Sequence, residues 1–266
     1  MTSPTLPRSR TASGTTYLDE GHGEPLVLIH GVGMRLEAWT PQIAALSAMR
    51  RVIAVDMPGH GGSQRLVQGA RLPDFVDWLG RFLDDLNLTR VALAGHSMGA
   101  LIAGGAAATF ADRIERVALL NGVYRRTAEA RAAVMSRSLE IDRGHVDLAA
   151  PLSRWFSSSE IGGEPYALVR DWLASVDIAG YGTAYAAFAE GDAVYADRLS
   201  GVACPALFLT GEHDLNSTPD MSRQMAAAVR NGVAVIVPGH RHMVNLTAPQ
   251  IVNAALAEWL ERDGAA

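Results

Sequence analysis

Six short apolar runs recur along the chain: Leu26 to His30, Arg51 to Asp56, Val91 to His96, Arg116 to Asn121, Ala206 to Gly211 and Val233 to Val237. Each suits a strand buried on both faces. Between them lie Glu37 to Ala48, Pro73 to Leu86, Met98 to Phe110, Pro219 to Arg230 and Ala248 to Glu261, which carry apolar residues near helical spacing. Parallel neighbours need crossover connections, so this alternation predicts an α/β fold with helices on both faces of one mainly parallel sheet. Thr15 to Glu20, ahead of the first buried run, suits an antiparallel edge strand. With 266 residues, 48% of them hydrophobic, the chain is long enough for one substantial domain with an insertion.

Charge and composition exclude several partners. A net charge of -5 offers no basic face for nucleic acid. Every apolar run is broken well short of the roughly 18 to 20 residues of a membrane span. Cys204 is the only cysteine, which excludes an intrachain disulfide and a cysteine-based metal cluster. Residues 1–14 are polar, lack the apolar centre of a secretory signal and read as a flexible arm, so a cytoplasmic protein is expected.

The alternation is interrupted once. Between Asn121 and Ala206 no buried strand is evident, and nine of the 17 aromatic residues fall within 123–200. The expected organisation is a core of 15–122 and 201–266 carrying a helical lid, 123–200, that roofs an apolar pocket. Trp155, Tyr185, Phe188 and Met243 are candidate pocket residues. The lid carries eight Arg against eleven Asp or Glu, a balance that selects neither an anionic nor a cationic substrate.

Chemistry concentrates in Val91-Ala-Leu-Ala-Gly95-His96-Ser97-Met98-Gly99-Ala100, where a buried strand runs through G-x-S-x-G into an apolar helix. That context holds Ser97 on a sharp turn at a helix N-terminus, where backbone N–H groups favour developing negative charge. A nucleophilic serine needs a base, and the base an orienting acid. Gly211-Glu-His-Asp214 and Gly239-His240-Arg-His242 follow later strands, at the carboxyl ends where open α/β sheets place their sites. The order Ser97, Asp214, His242 is the one expected on such a sheet. Two oxyanion donors are needed as well; the N–H of Met98 supplies one, and the Gly31-Val32-Gly33 turn supplies the other from Val32. Asp56 and His60 read as structural members of a turn rich in Gly and Pro, and His96 as a packed neighbour of the core.

These motifs resemble the α/β-hydrolase fold family, in its subgroup of small bacterial carboxylesterases, enol-lactonases, perhydrolases and carbon-carbon bond hydrolases. The resemblance rests on His30-Gly31-x-Gly33, Asp56-x-Pro58-Gly59-His60-Gly61-x-Ser63, the serine motif, Gly211-x-x-Asp214 and Gly239-x-x-His242. It implies an eight-stranded sheet, the lid, and a small-molecule substrate handled without metal or organic cofactor. Pro249 stands at the family's spacing from His242 and not from His240, while Thr247 replaces the usual Glu. Ser97 argues against the Asp-nucleophile dehalogenases and epoxide hydrolases. His96 and Met243 stand where carbon-carbon hydrolases usually carry Asn and Trp. A carboxylic ester or lactone is therefore the expected substrate. A vinylogous diketone cleaved at carbon-carbon is the alternative, and a non-catalytic receptor on the same fold the second.

Overall fold

The buried runs pair in parallel through crossover helices. The computed structural model describes residues 7–262 other than residue 148. Its strands are β1 Ser9–Arg10, β2 Thr16–Glu20, β3 Pro25–Ile29, β4 Arg51–Val55, β5 Val91–His96, β6 Ile114–Leu120, β7 Ala206–Gly211 and β8 Gly232–Val237. They form one eight-stranded sheet in the order β1-β2-β4-β3-β5-β6-β7-β8. β3 to β8 are parallel, whereas β1 and β2 run antiparallel at one end. The helices are α1 Thr40–Leu46, α2 Leu72–Asp85, α3 Met98–Thr109, α4 Ala128–Asp142, α5 Ala149–Trp155, α6 Glu164–Ala174, α7 Ile178–Gly191, α8 Pro219–Ala228, α9 Val244–Thr247 and α10 Pro249–Glu261.

Alternation along each strand divides the core. Val27, Ile29, Ile53 and Val55 belong to the layer containing the apolar face of α2 and most of α3, while Leu26, Leu28, Val52 and Ala54 belong to the layer with α1 and α10. Local sequence sets the helix starts. Pro73 occupies the first turn of α2, and the Asp74 carboxylate accepts from the Arg71 N–H at 2.7 Å. Thr127, Asp177 and Thr218 cap α4, α7 and α8 through their side-chain oxygens.

Two expectations are corrected. The arm is not wholly free: Ser9–Arg10 pairs with Thr16 and Tyr17, and the Arg8 guanidinium contacts the buried Asp56 carboxylate and donates to Glu37 at 2.6 Å. Residues 1–6 lie outside the described residues. The run Val233 to Val237 is a strand, but mostly half-buried, because β8 is the last in the order and packs on one edge only. Four helices, α4 to α7, separate β6 from β7 in the chain. No helix among the described residues is long and apolar enough to cross a membrane.

Candidate active site

The site gathers at the carboxyl ends of the parallel strands. Ser97 follows β5 with φ +55 and ψ -113, a conformation that L residues rarely adopt and that costs about 1 to 3 kcal/mol. Neighbouring backbone holds it there: the Ser97 N–H donates to Leu120 O at 2.9 Å, and its carbonyl accepts from Ala100 N–H at 3.0 Å. The flanking glycines are required by space. A Cβ on Gly95 would stand 2.0 Å from Gly99 O, and one on Gly99 would stand 2.2 Å from Ile29 O.

Asp214 and His242, from the loops after β7 and β8, are both buried and meet through His242 Nδ1–H donating to Asp214 Oδ2 at 2.8 Å. That bond fixes the tautomer and leaves Nε2 of the neutral ring as an acceptor. The other carboxylate oxygen, Oδ1, accepts from the N–H groups of Asn216 at 2.8 Å and Ser217 at 3.1 Å. Asn121 Nδ2 donates to Oδ2 at 2.8 Å and to Thr210 Oγ1 at 3.1 Å. Burial opposes ionisation of Asp214, but His242 and these donors outweigh it and hold its pKa below the ordinary value.

Ser97, His242 and Val32 line one cavity of about 520 Å³. Trp155, Tyr185 and Phe188 line it too, with Trp155 stacked on the His242 ring at 5.5 Å between centroids. Met243 does not fit the pocket assignment: it is buried in the core at the start of α9 and is absent from the cavity lining. Met98 is buried at the first position of α3, where a helix N–H has no intrahelical acceptor.

Three buried histidines bond to the backbone of the loops around the site. His60 Nε2 accepts from the Gly33 N–H at 2.9 Å and thereby pins the loop that carries Val32. His30 Nε2 accepts from Met57 N–H at 3.0 Å. His96 Nε2 donates to the His242 carbonyl at 2.9 Å. Burial lowers the pKa of all three, that of His96 to about 3, so each is neutral near pH 7. Asp56 accepts from Leu36 N–H at 2.8 Å and Gly62 N–H at 2.9 Å, which agrees with its reading as a turn residue. His240 is turned to Thr247 Oγ1 at 2.9 Å and Glu160 Oε1 at 3.1 Å. Glu212 accepts from the Gly239 N–H at 2.9 Å and is half-exposed.

Sequence reasoning overlooked Asn121 and the distribution of charge along 123–200. Asn121 directly follows a buried strand, at the end where the site forms, and this was its only signal. Although the insertion as a whole is slightly acidic, four of its arginines, Arg125, Arg126, Arg137 and Arg154, line the cavity, against two of its acids, Glu140 and Asp147.

A doubly covered, mainly parallel sheet with a serine on a strained turn after β5 is the architecture of a hydrolase. A family model described as alpha/beta hydrolase fold matches residues 24–249, and the chain belongs to that family. It is 52% identical over 256 residues, 96% of each chain, to (E)-2-((N-methylformamido)methylene)succinate hydrolase of Acinetobacter baylyi. The crystal structure of an enol-lactonase from Burkholderia xenovorans superposes with a TM-score of 0.87 at 29% identity, covering 96% of this chain and 100% of the other. A 2-hydroxy-6-oxo-2,4-heptadienoate hydrolase of Pseudomonas putida is 39% identical over 114 residues, 41% of each chain.

Proposed function

We propose that this hydrolase transfers an acyl group from an enamine nitrogen or an enol oxygen to water, through an acyl-enzyme on Ser97. The Asp214–His242 hydrogen bond carries the reading, since it sets the imaginary path of the proton: Nδ1 is committed to the carboxylate, and Nε2 is left to act as base in the cavity that Ser97 lines. The 52% identity with a hydrolase whose named substrate joins a formamide nitrogen to a carbon-carbon double bond supports an enamide. The structural likeness to an enol-lactonase supports a second reading, an enol ester or lactone. Both substrates present a carbonyl whose leaving atom is bonded to an sp² carbon.

In the enamide case Ser97 Oγ attacks the formyl carbon while His242 takes its proton. The N–H groups of Val32 and Met98 receive the oxyanion. As the tetrahedral intermediate collapses, the C–N bond breaks and imidazolium returns the proton to the departing enamine. Water, deprotonated by His242, then attacks the formyl-enzyme and formate leaves. Asp214 holds the ring and stabilises imidazolium throughout. The helices between β6 and β7 serve as the lid over this chemistry.

Assay of the purified chain with (E)-2-((N-methylformamido)methylene)succinate, an enol lactone, p-nitrophenyl acetate and a vinylogous diketone tests the proposal. Formate release from the enamide, or turnover of the enol lactone, is expected, lost in both cases in Ser97→Ala. Cleavage of the diketone alone would overturn acyl transfer in favour of carbon-carbon hydrolysis.

A further inference from the structure

The cavity's four arginines differ in how their charge is balanced. Arg125 is paired with Asp197. Arg126 is almost fully buried, with Nη1 donating to Asp192 Oδ1 at 3.2 Å and to the carbonyl of Phe188 at 3.2 Å, and the guanidinium lies over the Phe188 ring. Arg137 and Arg154 form no ion pair among the described residues. Arg137 Nε donates to Tyr185 Oη at 3.1 Å, and this neutral phenol leaves its charge uncompensated. Among the described residues Arg154 Nε is buried without a hydrogen-bond partner, as is Arg126 Nη2. The two acids of the lining, Glu140 and Asp147, are solvent-exposed, and Asp147 Oδ1 is occupied in accepting from the N–H groups of Ala149 and Ala150.

Unpaired guanidinium edges beside a cavity are unfavourable until an anion fills them, because a buried donor without an acceptor loses its hydration for nothing. Repulsion points the same way: burial first, and then the charge of Arg137, lower the pKa of Arg154. Guanidinium nevertheless stays protonated, so the pair presents two fixed positive charges. Arg154 directly precedes Trp155, which stacks on His242, and Arg137 reaches the cavity through Tyr185. The cations therefore stand on the insertion's side of the same cavity as the proposed nucleophile.

We propose that Arg137 and Arg154 form a carboxylate-binding site that selects anionic, dicarboxylate-bearing acyl substrates for this cavity, with the free Nη2 edge of Arg126 as an additional donor. The inference deepens the proposed function, and rests on it for the identity of the acyl substrate, but the anion site can be tested without turnover. Planar forks match carboxylates in a bidentate manner, which a lysine does not reproduce. Neutral esters lack the charge and gain nothing from the site.

Isothermal titration of the full chain with methylenesuccinate and with its dimethyl ester is the test. The diacid should bind at least about tenfold more tightly than the diester, since hydrogen bonds to charged groups are the stronger class. Arg154→Gln and Arg137→Gln should each weaken diacid binding about tenfold or more, with diester binding unchanged and Tm not lowered, because among the described residues neither side chain forms an ion pair whose loss would destabilise the fold. Arg154→Lys should recover only part of the loss. Equal binding of diacid and diester by the wild type, or undiminished diacid binding by both Gln variants, would overturn the site. If the enamide is not turned over while arginine-dependent diacid binding persists, the substrate reading fails and the anion site stands.

Discussion

Asn121 and Asp214 lie 93 positions apart in the chain and are joined by a 2.8 Å hydrogen bond from Nδ2 to the same carboxylate oxygen that receives the His242 Nδ1–H. The residue that follows β6 thus tunes the carboxylate that follows β7. Removing it should reach the chemistry through two intermediaries. Asn121→Ala should lower kcat/KM about tenfold, the effect of one hydrogen bond to a charged group. Asn121→Asp should be worse, because it sets a second carboxylate beside the first. Steady-state kinetics of both variants check this, and equal activity of all three proteins would remove Asn121 from the catalytic arrangement.

Ser97 combines its proposed role as nucleophile with a strained backbone. Ser97→Ala should fold with an unchanged Tm, lose labelling by a fluorophosphonate and lose turnover by orders of magnitude. Ser97→Gly should be equally inactive but more resistant to urea, by about 1 kcal/mol, because glycine tolerates the positive φ. A Gly variant less stable than wild type would show that the turn is not strained.

The last loop offers two histidines with opposite surroundings. His242→Ala should abolish nearly all activity. His240→Ala should keep most of it, because His240 faces Thr247 and Glu160 and not Asp214. The comparison needs one substrate and two variants; the reverse pattern would reassign the base.

Acid should unfold this protein earlier than its carboxylates alone require. His30, His60 and His96 are buried with lowered pKa values, so between the ordinary value near 6.5 and the folded one, about 3 for His96, the unfolded chain binds protons that the native state refuses. Their contribution is fully present above pH 6.5 and is lost as pH falls toward the folded values. Each histidine adds a slope of up to about 1.4 kcal/mol per pH unit in that window. Urea denaturation of wild type and His96→Gln at pH 7, 6, 5 and 4 measures it: the variant should lose stability less steeply, and parallel curves would show that His96 does not titrate in this way.

The sheet was legible because burial on two faces writes a continuous apolar run: two of the six runs, Val91 to His96 and Ala206 to Gly211, coincide with their strands, and the other four differ by at most two residues at an end. Gly95 and Gly99 were legible because close backbone approach tolerates no side chain. β1 was not, since a two-residue pairing leaves no periodicity and Arg8 finds Glu37 and Asp56 only after the chain has folded. Nor was the cavity's charge: a sum over 123–200 counts eight Arg and eleven Asp or Glu, whereas the fold brings four of those arginines and only two of those acids to the cavity. Met243 failed as a pocket residue because adjacency to His242 in sequence does not decide which way a side chain points at the start of a helix.

The His242 N–H donates to Trp155 O at 3.3 Å, and Arg241 Nη1 donates to the carbonyls of Ser153 at 2.8 Å and Phe156 at 3.0 Å. Helix α5 and the histidine loop are therefore one mechanical part, although some 85 residues separate them. A chimera that imports a foreign insertion to change specificity would tear this seam and misplace the ring it meant to keep. Recombination between relatives should succeed when the segments 150–157 and 240–243 travel together, so that the unit of inheritance for this site is a pair of distant segments rather than a domain.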